Sequence, residues 1–231
     1  MMAFSDVSSV FYRIPQMKTS ADVSLCLKGV NVFGETAFDW VNKTVATVCG
    51  TDFMASERLR MAILLKYYPS KGFANDYGLA ASGEVDLRRL NGNFSFECSY
   101  FPEPKSKTAE LCCQAKLQTE WSYQLTDKFM LELRVKELLR TWGFSYKTDV
   151  RVGARFKSDH VSVASRFNIL SCDNVGMLGY IEGGYIPGCI SAYLRLGLFK
   201  VDDWDDRIYV YERDAPGSYN VPAYYGRGFW I

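Results

Sequence analysis

Between residues 108 and 136 apolar and polar positions alternate with a period of two. Odd positions read Ala109, Leu111, Cys113, Ala115, Leu117, Thr119, Trp121 and Tyr123. The even positions between them read Glu110, Cys112, Gln114, Lys116, Gln118, Glu120 and Ser122. A turn at 126–128 leads into a second run, in which Phe129, Leu131, Leu133 and Val135 alternate with Glu132, Arg134 and Lys136. Successive side chains of a strand point to opposite faces, so the pattern predicts a hairpin with one apolar and one charged wall. A helix would mix the two sets on every face.

The same pattern recurs along the chain. Residues 7–14 and 22–28 are weak strand candidates. Residues 31–41 set Val32, Thr36, Phe38 and Trp40 against Asn31, Glu35 and Asp39. A two-residue turn is expected at Asn42-Lys43, a returning strand over 44–53, and a connection at 54–56. Over 58–67 Arg58, Arg60 and Lys66 share one parity, against Leu59, Met61, Ile63, Leu65 and Tyr67. Helix is the rival there, because the segment is rich in helix formers, and the parity of the basic residues decides for strand.

A long loop is expected over 69–81, then a strand with Glu84, Asp86 and Arg88 opposite Val85 and Leu87. Asn91-Gly92 is the strongest short hairpin signal in the chain. The returning strand sets Glu97 against Phe94, Phe96 and Cys98. Further strands are expected over 149–157, with Arg151 and Arg155 on one face, and over 161–170, with Arg166 and Asn168. Others are expected over 175–186 and 190–200, and residues 207–213 and 224–231 read as extended.

Nearly every strand pairs with its successor, and short connections alternate with longer ones, apart from a break near Met54. The expectation is an all-β, antiparallel up-and-down meander of roughly 12 to 14 strands, of the kind that closes into a transmembrane-type barrel. Alternation alone leaves open which face is wet. The near absence of crossing connections and the aromatics at strand ends (Trp40, Tyr67, Tyr68, Tyr100, Trp121, Tyr123, Phe129, Tyr185) favour the apolar face toward lipid. The lumen-facing set is then Glu35, Asp39, Arg58, Arg60, Lys66, Glu84, Asp86, Glu97, Glu110, Lys116, Glu120, Glu132, Arg134, Arg151, Arg155 and Arg166. With both signs present, cross-strand ion pairs bracing the interior are expected ahead of a selective pathway of one sign.

Composition narrows the function classes. A formal charge of +1 over 231 residues argues against broad attraction to nucleic acid or anionic surfaces. No apolar run is long enough for a membrane helix, and no secretory signal opens the chain. Seven cysteines without CxxC spacing read as free thiols, with one or two disulfides as the alternative. His160, the sole histidine, sits in a predicted turn at 158–160 and is expected to be an exposed turn residue with no catalytic role. The acids at 202–206 around Trp204 read as solvated loop residues, with a weak cation site as the alternative. No phosphate-binding glycine motif is present. No catalytic residue, metal site or cofactor is expected.

Four segments carry a resemblance. Residues 196–214 (Leu-Gly-Leu-Phe-Lys-Val-Asp-Asp-Trp-Asp-Asp-Arg-Ile-Tyr-Val-Tyr-Glu-Arg-Asp) are followed by Asn-Val-Pro-Ala-Tyr-Tyr-Gly-Arg-Gly at 220–228. Asn-Val-Phe-Gly-Glu at 31–35 and Leu-Leu-Lys-Tyr-Tyr-Pro at 64–69 accompany them. These segments resemble the barrel region of uncharacterised Bacteroidota outer-membrane proteins that carry a competence-protein-like helix-hairpin-helix near their start. The likeness covers most of 31–228 and implies a barrel with no active site to carry over. The helix-hairpin-helix and the export signal of that family are not in this chain, so a single barrel domain over 1–231, as a piece of a longer exported chain, is the expectation.

The function expected is that of an outer-membrane barrel with a structural, anchoring or solute-passage role, and not an enzyme. Its partners would be membrane lipids and further barrel strands or a periplasmic protein, and not nucleic acid. A soluble β-barrel binding an apolar ligand and a barrel-housed lipid-modifying enzyme are the alternatives.

Overall fold

A computed structural model of the chain describes residues 3–5, 17–103, 112–142, 146–172, 174–188, 191–212 and 220–231. Among them there is no helix. The strands are β1 (Ala3–Ser5), β2 (Lys18–Leu27), β3 (Val30–Asp39), β4 (Thr44–Ser56), β5 (Leu59–Tyr68), β6 (Asp76–Leu87) and β7 (Leu90–Phe101). They continue with β8 (Cys112–Thr126), β9 (Phe129–Arg140), β10 (Tyr146–Lys157), β11 (Val161–Ser171), β12 (Val175–Tyr185) and β13 (Ala192–Val201). Last come β14 (Ile208–Tyr209), β15 (Ala223–Tyr224) and β16 (Gly226–Trp230).

One sheet of 14 strands runs in chain order from β1 to β13 and then to β16, while β14 and β15 pair separately. The fold is the all-β antiparallel meander that the period-two pattern predicts. Of the segment 57–65, where helix is the rival, residues 59–65 are strand and 57–58 form a turn. The weak strand candidate at 7–14, Glu110, Leu111 and Cys189 lie outside the described residues.

The chain divides into two compact units. The first comprises Met1–Asp86, Asn93–Leu117 and Leu139–Gly143; the second comprises Leu87–Gly92, Gln118–Leu138 and Phe144–Ile231.

In the first unit the register sorts side chains cleanly. Val32, Thr51, Ile63 and Ala81 stand in one cross-strand row, and Gly34, Cys49, Leu65 and Leu79 in the next. Every Asp, Glu, Lys and Arg of β2–β6 falls on the opposite face: Lys18, Asp22, Glu35, Asp39, Asp52, Arg60, Lys66, Asp76, Glu84 and Asp86. The apolar face exposes large side chains, Leu65 at 52% and Leu27 at 55% of full exposure, and on the charged face Asp22, Glu35, Arg60, Glu84 and Asp86 are exposed as well.

Several turns differ from expectation, each for a local reason. Lys28 and Gly29 both have positive φ, 46° and 87°, which makes the tight turn between β2 and β3 of the kind whose twist suits a hairpin. The reversal expected at Asn42-Lys43 takes all of 40–43, where Asp39 holds the backbone. Residues 54–56, expected as a connection, belong to β4, which bulges between Met54 and Ser56 before turning at 57–58. The loop expected over 69–81 ends at Asn75, and Asp76 already pairs with Tyr68.

Asn91-Gly92 is not a turn. The chain reverses at 88–89, and Gly92 lies within β7, where a Cβ would stand 2.2 Å from a ring carbon of Trp121. The glycine there makes room for an indole. With these corrections the break in rhythm near Met54 disappears. Short turns at 28–29, 57–58, 88–89 and 127–128 alternate with longer connections at 40–43 and 69–75.

In the second unit the same sorting holds across β10–β13. Val152, Phe167, Gly179, Leu198 and Phe229 stand in one cross-strand row, with Leu198 at 69% exposure. The opposite face carries Lys147, Asp149, Arg151, Arg155, Lys157, Arg166, Glu182 and Arg195. Lys200, at the end of β13, is the exception in these strands, and it sits 3.8 Å from Asp202.

This charged face also holds an apolar patch that alternation does not anticipate. Leu170, Leu178 and Val201 pack there with Ile208, Val210 and Tyr224 from the segment that returns from β13 to β16. Phe199, Tyr180 and Trp230 surround them. Asp206 anchors that segment. It is fully buried, and its carboxylate accepts the backbone N–H of Cys172 at 2.6 Å and of Asn174 at 2.9 Å. The reading of 202–206 as wholly solvated acids is therefore corrected at Asp206, whose carboxylate replaces water with two backbone donors.

Candidate functional site

The densest group of ionised side chains lies on the charged face of β9–β13. Asn168 is its centre and is 1% exposed. Its Oδ1 accepts from Arg151 Nε at 3.3 Å, Arg166 Nε at 3.3 Å and Arg166 Nη2 at 2.7 Å. Its Nδ2 donates to Asp149 Oδ1 at 2.7 Å, and Asp149 Oδ2 takes Arg134 Nη2 at 2.8 Å. Three guanidinium groups thus share one carboxylate and one amide. Alternation places Asp149, Arg151, Arg166 and Asn168 on one face, and the register sets Arg151 directly opposite Asn168.

Beside this group, Arg195 directs Nε and Nη2 to Glu182 Oε2 at 3.0 and 2.6 Å, and the two residues are cross-strand partners. The guanidinium lies 4.4 Å from the centroid of the Tyr180 ring. Its Nη1 donates to the carbonyl of Tyr211 at 2.8 Å, and Arg166 Nη2 donates to the carbonyl of Tyr209 at 3.3 Å. The return segment therefore caps two of the arginines with backbone oxygens. Within it the Tyr224 hydroxyl donates to Glu212, and burial first, then that hydrogen bond, pushes its pKa up. At the strand end, Arg227 donates to Asp202 at 2.7 Å and holds that carboxyl below the ordinary aspartate range.

A cavity of about 420 Å3 opens among Arg151, Arg155, Lys157, Arg166, Glu182 and Arg195. Glu132 and Tyr211 complete its wall. Arg155 meets Glu132 at 3.2 Å. The first unit has a smaller cavity of about 270 Å3, lined by Lys116 and Glu97 among mostly small and apolar side chains.

The predicted lumen residues divide into three sets. Arg134, Arg151, Arg155, Arg166 and Glu132 come together in the second unit, as just described. In the first unit, Lys66 Nζ sits 2.7 Å from both Asp76 and Glu97, and Arg60 meets Asp52 at 2.8 Å. The rest are not gathered into a site. Asp39 is fully buried and supports the 40–43 turn, accepting from the backbone N–H of Val41 and Asn42 at 2.9 and 3.0 Å. Glu120 accepts from Gln118 at 3.2 Å. Arg58 lies in the 57–58 turn, so it has no place on the strand face assigned to it. Glu35, Glu84, Asp86 and Lys116 are exposed.

Sequence reasoning did not single out Asp149, Asn168, Glu182 or Arg195 as site residues. Asp149 shares the parity of Arg151, so alternation could have found it. Glu182 and Arg195 meet only because β12 and β13 pair in one particular register.

His160 is exposed in the 158–160 turn, with its backbone carbonyl accepting from Ile186. Six of the cysteines are free thiols. Among the described residues no three metal-ligating side chains cluster.

No family model and no curated protein sequence matches the chain. Two solved structures have similar backbones. The outer membrane channel DcaP of Acinetobacter baumannii aligns with a TM-score of 0.48 at 10% identity, over 82% of this chain and 80% of that one. In-vitro folded OmpT, an outer membrane protein of Vibrio cholerae, aligns with a TM-score of 0.47 at 7% identity, over 99% of this chain and 91% of that one.

Proposed function

We propose that this chain is an outer-membrane β-barrel whose apolar faces meet lipid and whose charged faces line a mixed-charge lumen. Its role in this reading is structural, anchoring or solute passage, without catalysis. Membrane lipids are its surroundings, and further strands or a periplasmic protein its partners. Membership of the Bacteroidota barrel family belongs to the same proposal.

The observation that carries the reading is the sorting of charge in β2–β6. Ten ionised side chains occupy one face and none the other, and the uncharged face exposes large apolar side chains such as Leu27, Val32, Ile63 and Leu65. In water that arrangement would leave a broad apolar surface uncovered. In lipid it avoids about 2–4 kcal/mol for each Arg or Lys at mid-bilayer. A soluble barrel holding an apolar ligand needs the opposite arrangement.

The test is refolding into lipid vesicles, read by heat-modifiable gel migration. The wild type is expected to insert, and Ile63→Arg to lose about 2–4 kcal/mol of insertion free energy. A chain that stays monomeric and soluble without detergent overturns the reading.

A further inference from the structure

We propose that the cavity on the charged face of β10–β13 binds a small organic anion bearing carboxylate or phosphate groups. Five cations line it, Arg151, Arg155, Lys157, Arg166 and Arg195, against two carboxylates, Glu132 and Glu182. Both carboxylates are already engaged, Glu132 by Arg155 at 3.2 Å and Glu182 by Arg195 at 2.6 Å. Among the described residues, none of Arg151, Arg166 and Lys157 has a carboxylate within ion-pair distance.

Arg151 and Arg166 instead direct three N–H groups at Asn168 Oδ1, and Arg166 Nη2 also donates to the Tyr209 carbonyl, so the acceptors that hold both guanidinium groups are neutral. Neither positive charge has a carboxylate in contact with it among the described residues. A planar oxyanion is the group whose geometry matches a guanidinium fork, which makes it the complement the cavity lacks. A cation would face net positive charge, and an apolar ligand would displace water from the charged side chains without replacing its hydrogen bonds. The volume of about 420 Å3 suits a small metabolite-sized ligand. The cavity of the first unit, with Lys116 and Glu97 in near balance, has no such excess.

The proposal rests on the charged face being the enclosed one, and its test separates the two ideas. The full chain, refolded in detergent, is titrated calorimetrically at constant ionic strength with sodium succinate, with sodium phosphate and with tetraethylammonium chloride. Saturable binding of succinate or phosphate but not of tetraethylammonium is expected, and the stronger anion identifies the source of the oxyanion. Arg151→Gln and Lys157→Gln should each weaken binding about tenfold, as the loss of a charge-assisted contact implies. Lys71→Gln removes the same charge from an exposed connection of the first unit and should leave binding unchanged.

Lys157 is exposed at the end of β10, so its variant keeps the test open if Arg151→Gln fails to fold. Absence of saturable anion binding by folded protein overturns the proposal, as does equal weakening in Lys71→Gln. Heat-modifiable migration is read on the same samples. A heat-modifiable protein that binds no anion sinks the site and leaves the membrane reading standing, whereas anion binding without heat modifiability does the reverse.

Discussion

Lys66 and Arg195 hold comparable places on the charged faces of their units, and their side chains are 13% and 14% exposed. Their surroundings differ. Lys66 is met by two carboxylates, one each from β6 and β7, and other charges of its unit, such as Glu35, Arg60 and Glu84, stay exposed. Arg195 meets one carboxylate, an aromatic ring and a backbone carbonyl supplied by the return segment. Near it that segment closes an apolar core of Leu178, Val201, Ile208 and Val210. In the first unit charge is balanced by charge from neighbouring strands. In the second, Arg166 and Arg195 are balanced partly by backbone dipoles, and Arg195 is shielded from water. Alternation produces both faces alike, and it is the covering segment that turns one of them into a site where a charge is costly to strand.

That contrast is sharpest in the ion pairs themselves. Glu182→Ala should cost about 3–5 kcal/mol in urea unfolding, because it leaves Arg195 enclosed without its carboxylate. Arg60→Ala should cost less than about 1 kcal/mol in the same assay, since that side chain is 56% exposed and paired in water. Similar costs for the two would erase the distinction between the units.

Ile208→Ala probes the covering segment directly. The side chain is 2% exposed and packs in the only hydrophobic cluster among the described residues. Its truncation should cost about 2–5 kcal/mol. It should also raise the protease susceptibility of 202–212 while leaving the first unit's resistance unchanged.

The smallest effect is a pH dependence confined to the second unit. The Tyr224 pKa is raised in the fold, so its contribution is complete below the ordinary tyrosine pKa of about 10 and is lost as pH rises through the folded value. Unfolding curves of the wild type should weaken at alkaline pH above about 10, and Tyr224→Phe should remove that part of the slope. An unchanged alkaline slope in the variant would detach Tyr224 from the stability of the covering segment.

Most strands were legible in the residues, because a two-sided surface imposes period two and little else produces it over ten residues. Sequence and structure part where a local signal has two uses. Asn91-Gly92 is a good turn sequence and also a good place to seat Trp121, and the tertiary contact decided between them. At Met54 a bulge moved the turn by two residues, which no propensity marks. Arg134, Arg151 and Arg166 were found from parity alone. Their convergence on Asn168 and Asp149 was not, because parity gives the face and only register gives the neighbour.

What the chain's own letters determine is the sorting of apolar from ionised side chains onto two faces, since alternation acts between adjacent residues and needs no distant partner. Which ionised groups meet, which remain in water, and that residues 202–212 fold across a charged face were decided only in three dimensions. Those outcomes depend on strand register and on Ile208, Val210 and Tyr224 packing against Leu170 and Leu178, residues brought together from separate strands.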